Sequence, residues 1–440
     1  MRTEYDAIIV GAGPSGSTAA ILLAQAGWSV ALVEKQSFPR RKVCGECIAA
    51  SNLPLLDALG IGDAFAAMAG PELRRVALFC RSQSISAALP AARDAKYPWG
   101  RALGREHLDA LLLHRAGAVG ASVLQPCVAQ SLSGRAGSFL CGVTVADGDQ
   151  AITLRAPVAI AAYGSWQLLP ADRARRRTER RPTDLLAFKA NFNKVRLEKE
   201  LLPVLSFQGG YGGMVVADHG SATLACCIRE DRLAACRKAF PGEKAGTVVE
   251  AYLRHECPGV QDALSGAVRV GPWLAAGPIR PGVRLPHGGA GVFMIGNAAG
   301  EAHPIVGEGI SMAMQSAWML CEQLVRRRNV LLHGSAAHKW QRKVQERYAA
   351  QWHSHFRPRM RIAAVFAHAA MRPSITARVF PLLRRAPSLL TLGARCSGKI
   401  RCVANQEAIA RLVYLCDPAR AGQPARRLQR LFRSMSNDNA

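Results

Sequence analysis

Gly11-Ala12-Gly13-Pro14-Ser15-Gly16 sets three glycines at the spacing that cradles the pyrophosphate of a dinucleotide. Gly11 permits a tight turn, Gly13 lets the backbone approach the phosphates, and Gly16 lets a helix pack closely on a strand, with Pro14 and Ser15 between them. The free N–H groups and dipole of a helix starting there favour an anion. Glu34, eighteen residues after Gly16, is placed to accept hydrogen bonds from a ribose hydroxyl, with Lys35 beside it. The elements that must position these residues are legible around them. Residues 6–10 form an apolar run of the kind that makes a buried parallel strand, 17–26 read as an Ala/Leu-rich helix stopped by Gly27, and 28–33 form a second apolar strand. This unit predicts dinucleotide binding. By itself it does not separate FAD from NAD.

Other segments carry residues of chemical interest. Pro39-Arg40-Arg41-Lys42-Val43-Cys44-Gly45-Glu46 follows the second strand, and Gly104-Arg105 opens a helix with an apolar stripe at Leu108, Leu111 and Leu112. An apolar strand at 291–295 runs into Gly296-Asn297-Ala298-Ala299-Gly300, followed by His303, Pro304, Gly307, Glu308, Gly309 and Ile310 and a helical stretch over 311–325. A histidine titrates near neutral pH and suits general acid–base work, although His303 reads more readily as a hydrogen-bonded turn residue. Cys44 reads equally as a small buried thiol.

Together these motifs resemble the geranylgeranyl reductase-like branch of FAD-dependent oxidoreductases, within the larger group that contains the aromatic-ring hydroxylases. The resemblance covers approximately residues 4–330. It implies that FAD is the cofactor and leaves NAD(P)H as candidate electron donor. It also implies that Arg41, Lys42 and Cys44 pass beside the flavin and that the Arg105 guanidinium reaches the pyrophosphate. Gly296 and Asn297 would meet the ribityl and pyrophosphate region, and Pro304, Gly307, Gly309 and Ile310 the pyrimidine edge. Candidate catalytic residues are Cys44, Tyr211 and His303. The implied reaction is carbon–carbon double-bond reduction on a lipophilic, isoprenoid- or polyketide-like small molecule; the alternative is hydroxylation of an aromatic or polyketide-like ring. A non-catalytic flavin-containing membrane or carrier-binding protein is the reading from another class.

The chain departs from that pattern in three places. Asn297 stands where the family has Asp, and an amide can still bond a hydroxyl. Tyr163, in the run from Pro157 to Trp166, replaces the Asp of an Ala-Asp-Gly element linked to FAD and NAD(P)H handling, which weakens the expectation of direct nicotinamide docking. Gly213 and Val215-Val216 replace Trp and Phe-Pro in a Tyr-x-Trp-x-Phe-Pro element, so more room over the flavin is expected. The paired-tryptophan motif of flavin halogenases is not found; Trp273 stands alone.

The expected fold is α/β: a Rossmann-type FAD-binding domain in two parts, 1–170 and 267–330, a mostly antiparallel substrate domain over 171–266, and a basic helical region over 331–440. The 440 residues carry a net charge of +26 with 49% hydrophobic content, which excludes a disordered basic tail protein. From Arg326 onward 23 Lys+Arg face 4 Asp+Glu, so +19 of the charge lies there. Residues 335–440 are accordingly expected to meet an anionic membrane surface or an acidic carrier protein, or to form a helical cap with a charged face. No nucleic acid is expected, because no stacking or helix-turn-helix motif accompanies the charge. The 173–177 arginine run is expected to be a solvated linker. Thirteen scattered cysteines suggest reduced thiols in a cytoplasmic protein, at most peripheral at the inner membrane face. Cys44-x-x-Cys47 lacks a second pair at zinc spacing, so no metal is expected.

Overall fold

The computed structural model describes residues 2–145, 151–165, 180–284, 291–328 and 337–402. Trp166 and the 173–177 run lie outside the described residues.

The first element is strand β1 (Ala7–Val10), followed by helix α1 (Pro14–Gln25) and strand β2 (Val30–Val33). Next come β3 (Arg75–Cys80), β4 (Gln83–Ala88), α2 (Arg105–Ala118) and β5 (Ser122–Leu124). Strands β6 (Cys127–Arg135), β7 (Ser138–Val145) and β8 (Ala151–Ala156) form a separate antiparallel three-stranded sheet, and β9 (Val158–Ala161) follows. Then β10 (Leu185–Asn193), β11 (Leu201–Phe207), β12 (Gly210–Val216), β13 (Ala222–Arg229), β14 (Val268–Ile279) and β15 (Phe293–Met294) lead to four helices. These are α3 (Gly309–Val325), α4 (Ala337–Ala370), α5 (Pro373–Arg385) and α6 (Ser388–Ser397).

Five strands form a parallel sheet in the order β15-β9-β1-β2-β5. Both faces of such a sheet are covered, which is why β1, β2 and β9 are apolar at every position and fully buried. Helices α1 and α3 pack on it side by side, so residues 300 apart in sequence share one core.

The second sheet has seven strands in the order β14-β10-β13-β12-β11-β3-β4, antiparallel except where β11 runs parallel to β3. The stretch expected to form the substrate-side sheet, 171–266, supplies four of its strands. The remainder, β3, β4 and β14, comes from stretches expected to belong to the FAD-binding part. Their polar alternation is irregular because both edges carry half-exposed strands, so local pattern did not tie them to this sheet.

Helix α4 does not stand apart as a charged appendage. Val344, Tyr348, Trp352 and Phe356 recur at steps of four and are buried against the core of the parallel sheet. Its far end, together with α5 and α6, lies over the larger sheet. None of the described helices is long and apolar enough to cross a membrane.

Candidate functional site

The turn after β1 is built as its sequence demands. Gly11 has φ +103°, and a Cβ on it would meet the Ala162 carbonyl oxygen at 2.6 Å. A Cβ on Gly16 would fall 1.8 Å from the Gly11 oxygen. Gly13 differs: the nearest atom to its absent Cβ is Arg105 Nη2 at 3.9 Å, so the space in front of it is open. Glu34 is buried, and its Oε2 accepts a hydrogen bond from the Ala12 N–H at 2.9 Å. The acid at the end of β2 is thereby fixed over the glycine turn.

A cavity of about 540 Å³ runs from this turn through the 42–47 loop to the face of the larger sheet. Gly11, Gly13, Pro14, Ser15, Glu34, Lys42, Cys44 and Arg105 line its first part. Asn297, Pro304, Gly307, Gly309 and Ile310 line the next part, with Tyr211 and His303 beyond. Gly16, Lys35, Arg41 and Gly296 are outside the lining. Gly16 and Gly296 support it from behind, since a Cβ on Gly296 would strike Ser15 Oγ at 2.6 Å. Arg41 turns outward, bonding Glu106 at 3.2 Å and the Val270 carbonyl at 3.1 Å. Its neighbour Arg40 faces inward instead, and Arg40 Nε is buried with no hydrogen-bond partner.

Arg105 is held flat by two hydrogen bonds to Asp109, at 2.8 and 2.7 Å. Burial opposes its charge, but the Asp109 carboxylate holds its pKa above the ordinary value. The i,i+4 spacing of this pair on α2 was readable beforehand and names Asp109 as the orienting partner. Burial, then the charges of Arg105 and Arg40, lower the Lys42 ammonium to about 8. FAD affinity is expected to fall as pH rises through about 8, because the neutral amine cannot pair a phosphate. In Lys42→Met that dependence should vanish; flavin-fluorescence titrations at several pH values check both.

Asn297 Nδ2 donates to Ser165 Oγ at 2.9 Å, and Ser165 Oγ donates to Glu301 Oε1 at 2.8 Å. Arg284 Nη2 binds the other Glu301 oxygen at 3.2 Å. Glu301 is buried and lines the cavity, so a carboxylate stands four residues after the position where the family's Asp is replaced. Burial pushes its pKa up despite these partners.

Tyr211 is fully buried, and its hydroxyl lies 3.1 Å from His303 Nδ1. His303 in turn makes an edge-on ring contact with His368 of α4, at 5.7 Å between centroids. Burial and then His368 lower His303 to about 4, and burial holds the Tyr211 phenol well above its ordinary value. His303 also borders a second, polar cavity of about 600 Å³ containing His368, Arg229, Arg280 and Arg372. The folded pKa lies below the ordinary histidine value of 6.5, so stability from neutral His303 is present above that value and is lost as pH falls toward about 4. His303→Asn is expected to make the acid-side fall in Tm shallower across this window.

The glycines of β12 answer to close backbone approach more than to open space. A Cβ on Gly212 would sit 2.7 Å from the Ala225 oxygen, and one on Gly213 would sit 3.0 Å from that of Pro203. Both glycines nevertheless line the chamber, together with residues of α5 and α6.

Two further charged residues, Lys189 and Lys399, went unmarked in sequence. Glu46, at φ +59°, accepts hydrogen bonds from Lys189 Nζ, from Thr223 Oγ1 at 2.5 Å and from the Arg105 N–H at 2.9 Å. Lys399 Nζ, just past α6, donates to the Val306 carbonyl at 3.0 Å and stands 3.7 Å from the buried Glu308 carboxylate. Lys189 belongs to an apolar strand pattern and Lys399 to a basic run, so neither showed its burial.

A glycine turn, a buried acid and a second glycine-rich helix start, all opening on one cavity, define a dinucleotide-dependent oxidoreductase. The chain belongs to the FAD binding domain family, whose model matches residues 4–253, and is an FAD-dependent oxidoreductase. It is 26% identical to the menaquinone reductase of Mycolicibacterium smegmatis, covering 94% of this chain and 96% of that one. It is also 26% identical to conditioned medium factor receptor 1 of Dictyostelium discoideum over 73% of this chain, and spans only 63% of that relative's length. Among solved structures, a myxobacterial FAD-dependent chondrochloren halogenase superposes with a TM-score of 0.69 at 18% identity, covering 94% of this chain and 97% of the other. At that identity the likeness concerns the fold.

Proposed function

We propose that the protein reduces a carbon–carbon double bond in a lipophilic, isoprenoid- or polyketide-like molecule, as a relative of the geranylgeranyl reductase-like branch, with NAD(P)H as electron donor. One observation carries this reading: the cavity passes directly from the dinucleotide turn into a chamber walled by Val204, Met214, Phe366, Val379, Leu383 and Leu390. Such walls favour an apolar substrate and leave few groups to orient a polar ring. The similarity to a menaquinone reductase over nearly the whole chain points the same way.

FAD, when bound, supplies the two-electron chemistry. The residues present fit it. Gly13 offers an unobstructed approach, Arg105, Arg40 and Lys42 offer positive charge to a diphosphate, and Glu34 offers an acceptor for ribose. The Gly309 end of α3 presents backbone N–H groups to the cavity. Reduction of a double bond also requires a proton. Tyr211 holds one at its phenol oxygen, His303 Nδ1 lies within hydrogen-bond reach, and His303 borders the polar cavity. Cys44 lines the cavity near Arg105 and accepts the Glu46 N–H at 3.3 Å, a contact that supports a role in holding the loop.

Anaerobic incubation of the FAD-loaded protein with NAD(P)H and candidate polyprenyl or polyketide acceptors tests the reading. A product two mass units heavier, formed without oxygen, supports reduction. A product heavier by sixteen, formed only with oxygen uptake, replaces it with hydroxylation. No turnover despite flavin reduction by NAD(P)H would leave a flavin-containing binding protein.

A further inference from the structure

We infer that α5 and α6 form a docking face for an anionic lipid bilayer, through which the substrate enters the cavity without crossing water. Among the described residues nine large hydrophobic side chains are exposed, and six of them lie between positions 365 and 392: Val365, Ile375, Val379, Leu382, Leu389 and Leu392. Val365, Leu382 and Leu392 are each more than half exposed. Isolated exposed hydrophobics are ordinary, but these six are gathered on the end of α4 and on two helices that pack against it and against each other.

The surroundings of the patch specify its partner. Arg361, Arg372, Arg378, Arg384, Arg385 and Arg395 are all exposed on the same elements. Between Glu346 and Glu407 the sequence contains no Asp or Glu at all. An apolar face rimmed by arginines with no acid matches the two-part attraction of an interfacial helix: side chains entering the acyl boundary and cations pairing lipid phosphates. An acidic carrier protein would satisfy the arginines and leave Leu382 and Leu392 without a purpose.

The patch is also continuous with the cavity. Ile375, Val379 and Leu389 are exposed and at the same time line it, with Leu383 and Leu390 behind them. The cavity therefore opens among the residues that would sit in the lipid. This entry route rests on the lipophilic-substrate reading; docking itself does not.

The test uses FAD-loaded full-length protein and co-sedimentation with vesicles. Binding is expected to mixed phosphatidylglycerol–phosphatidylcholine vesicles and to be weakened by high salt and by pure phosphatidylcholine. The double variant Leu382→Glu/Leu392→Glu, at positions outside the cavity lining, should lose binding by roughly tenfold or more while keeping its flavin spectrum and its turnover of a detergent-dispersed acceptor. Phe240→Glu, on an exposed residue far along the chain from this face, should bind as the wild type does. Equal vesicle binding by wild type and double variant overturns the inference. So does retention on an acidic protein surface with no vesicle binding. Absence of flavin or turnover in protein that still binds vesicles sinks the functional reading and leaves the docking face standing.

Discussion

Gly13→Ala should fold as the wild type does and come out of purification largely without FAD. Both halves follow from the turn's geometry. Gly11 and Gly16 cannot take a side chain, because a Cβ would collide with backbone within the protein itself. At Gly13 a Cβ meets nothing nearer than 3.9 Å, and the backbone has the ordinary negative φ of −69°. The added methyl costs the folded chain almost nothing and crowds only what lies against the turn. Overpacking by one methyl costs about 1–3 kcal/mol, which amounts to roughly 5- to 150-fold in affinity. Circular dichroism should be unchanged and the bound-flavin absorbance should be largely lost. Retention of a full complement of FAD would show that the phosphates lie elsewhere.

Lys189→Met should be among the most destabilising single changes in the protein. Lys189 and Glu46 are both fully buried and are paired across the boundary between the 42–47 loop and the larger sheet. Removing the ammonium leaves a carboxylate in the interior with only Thr223 and the Arg105 N–H to satisfy it. Breaking one side of such a pair costs about 3–5 kcal/mol. The double variant Glu46→Gln/Lys189→Met removes both charges and should recover most of that loss, as read by denaturant unfolding. If the double variant is no better than the single, the pair is not the source of the effect.

Much of the cofactor half was legible because its chemistry is local. Residues 11–16 and Glu34 belong to one strand–turn–helix–strand unit, and the turn at Gly296 and the start of α3 lie within fifteen residues of one another. Each announces itself through glycines that only special backbone positions require. The substrate half resisted for the opposite reason. Its sheet takes β3 and β4 from before the stretch that supplies its other strands and β14 from after it, and nothing in a window of ten residues encodes a partner such as Leu201 for Arg75 or Ile279 for Leu185. Arg40 and Arg41 illustrate the limit at single-residue scale. Adjacent and identical in type, one faces the cavity and the other Glu106, a choice made by a helix begun at position 105. The basic character of the last quarter was plain, yet its inner face, with Phe366, Leu383 and Leu390 walling the chamber, was hidden beneath it.

The reach of Lys399 back to the Val306 carbonyl has a bearing on how the protein is made. The cavity that starts at Gly11 gains this wall only when a residue nearly four hundred positions later has arrived. On a ribosome, the parallel sheet also waits for its last strand, at 293–294. Domains emerging in sequence fold as their parts appear, and here two of those parts, the 293–294 strand and Lys399, come late in the order of synthesis. A nascent chain stalled before α6 would lack the Lys399 wall and hold its glycine turn in a less enclosed cavity.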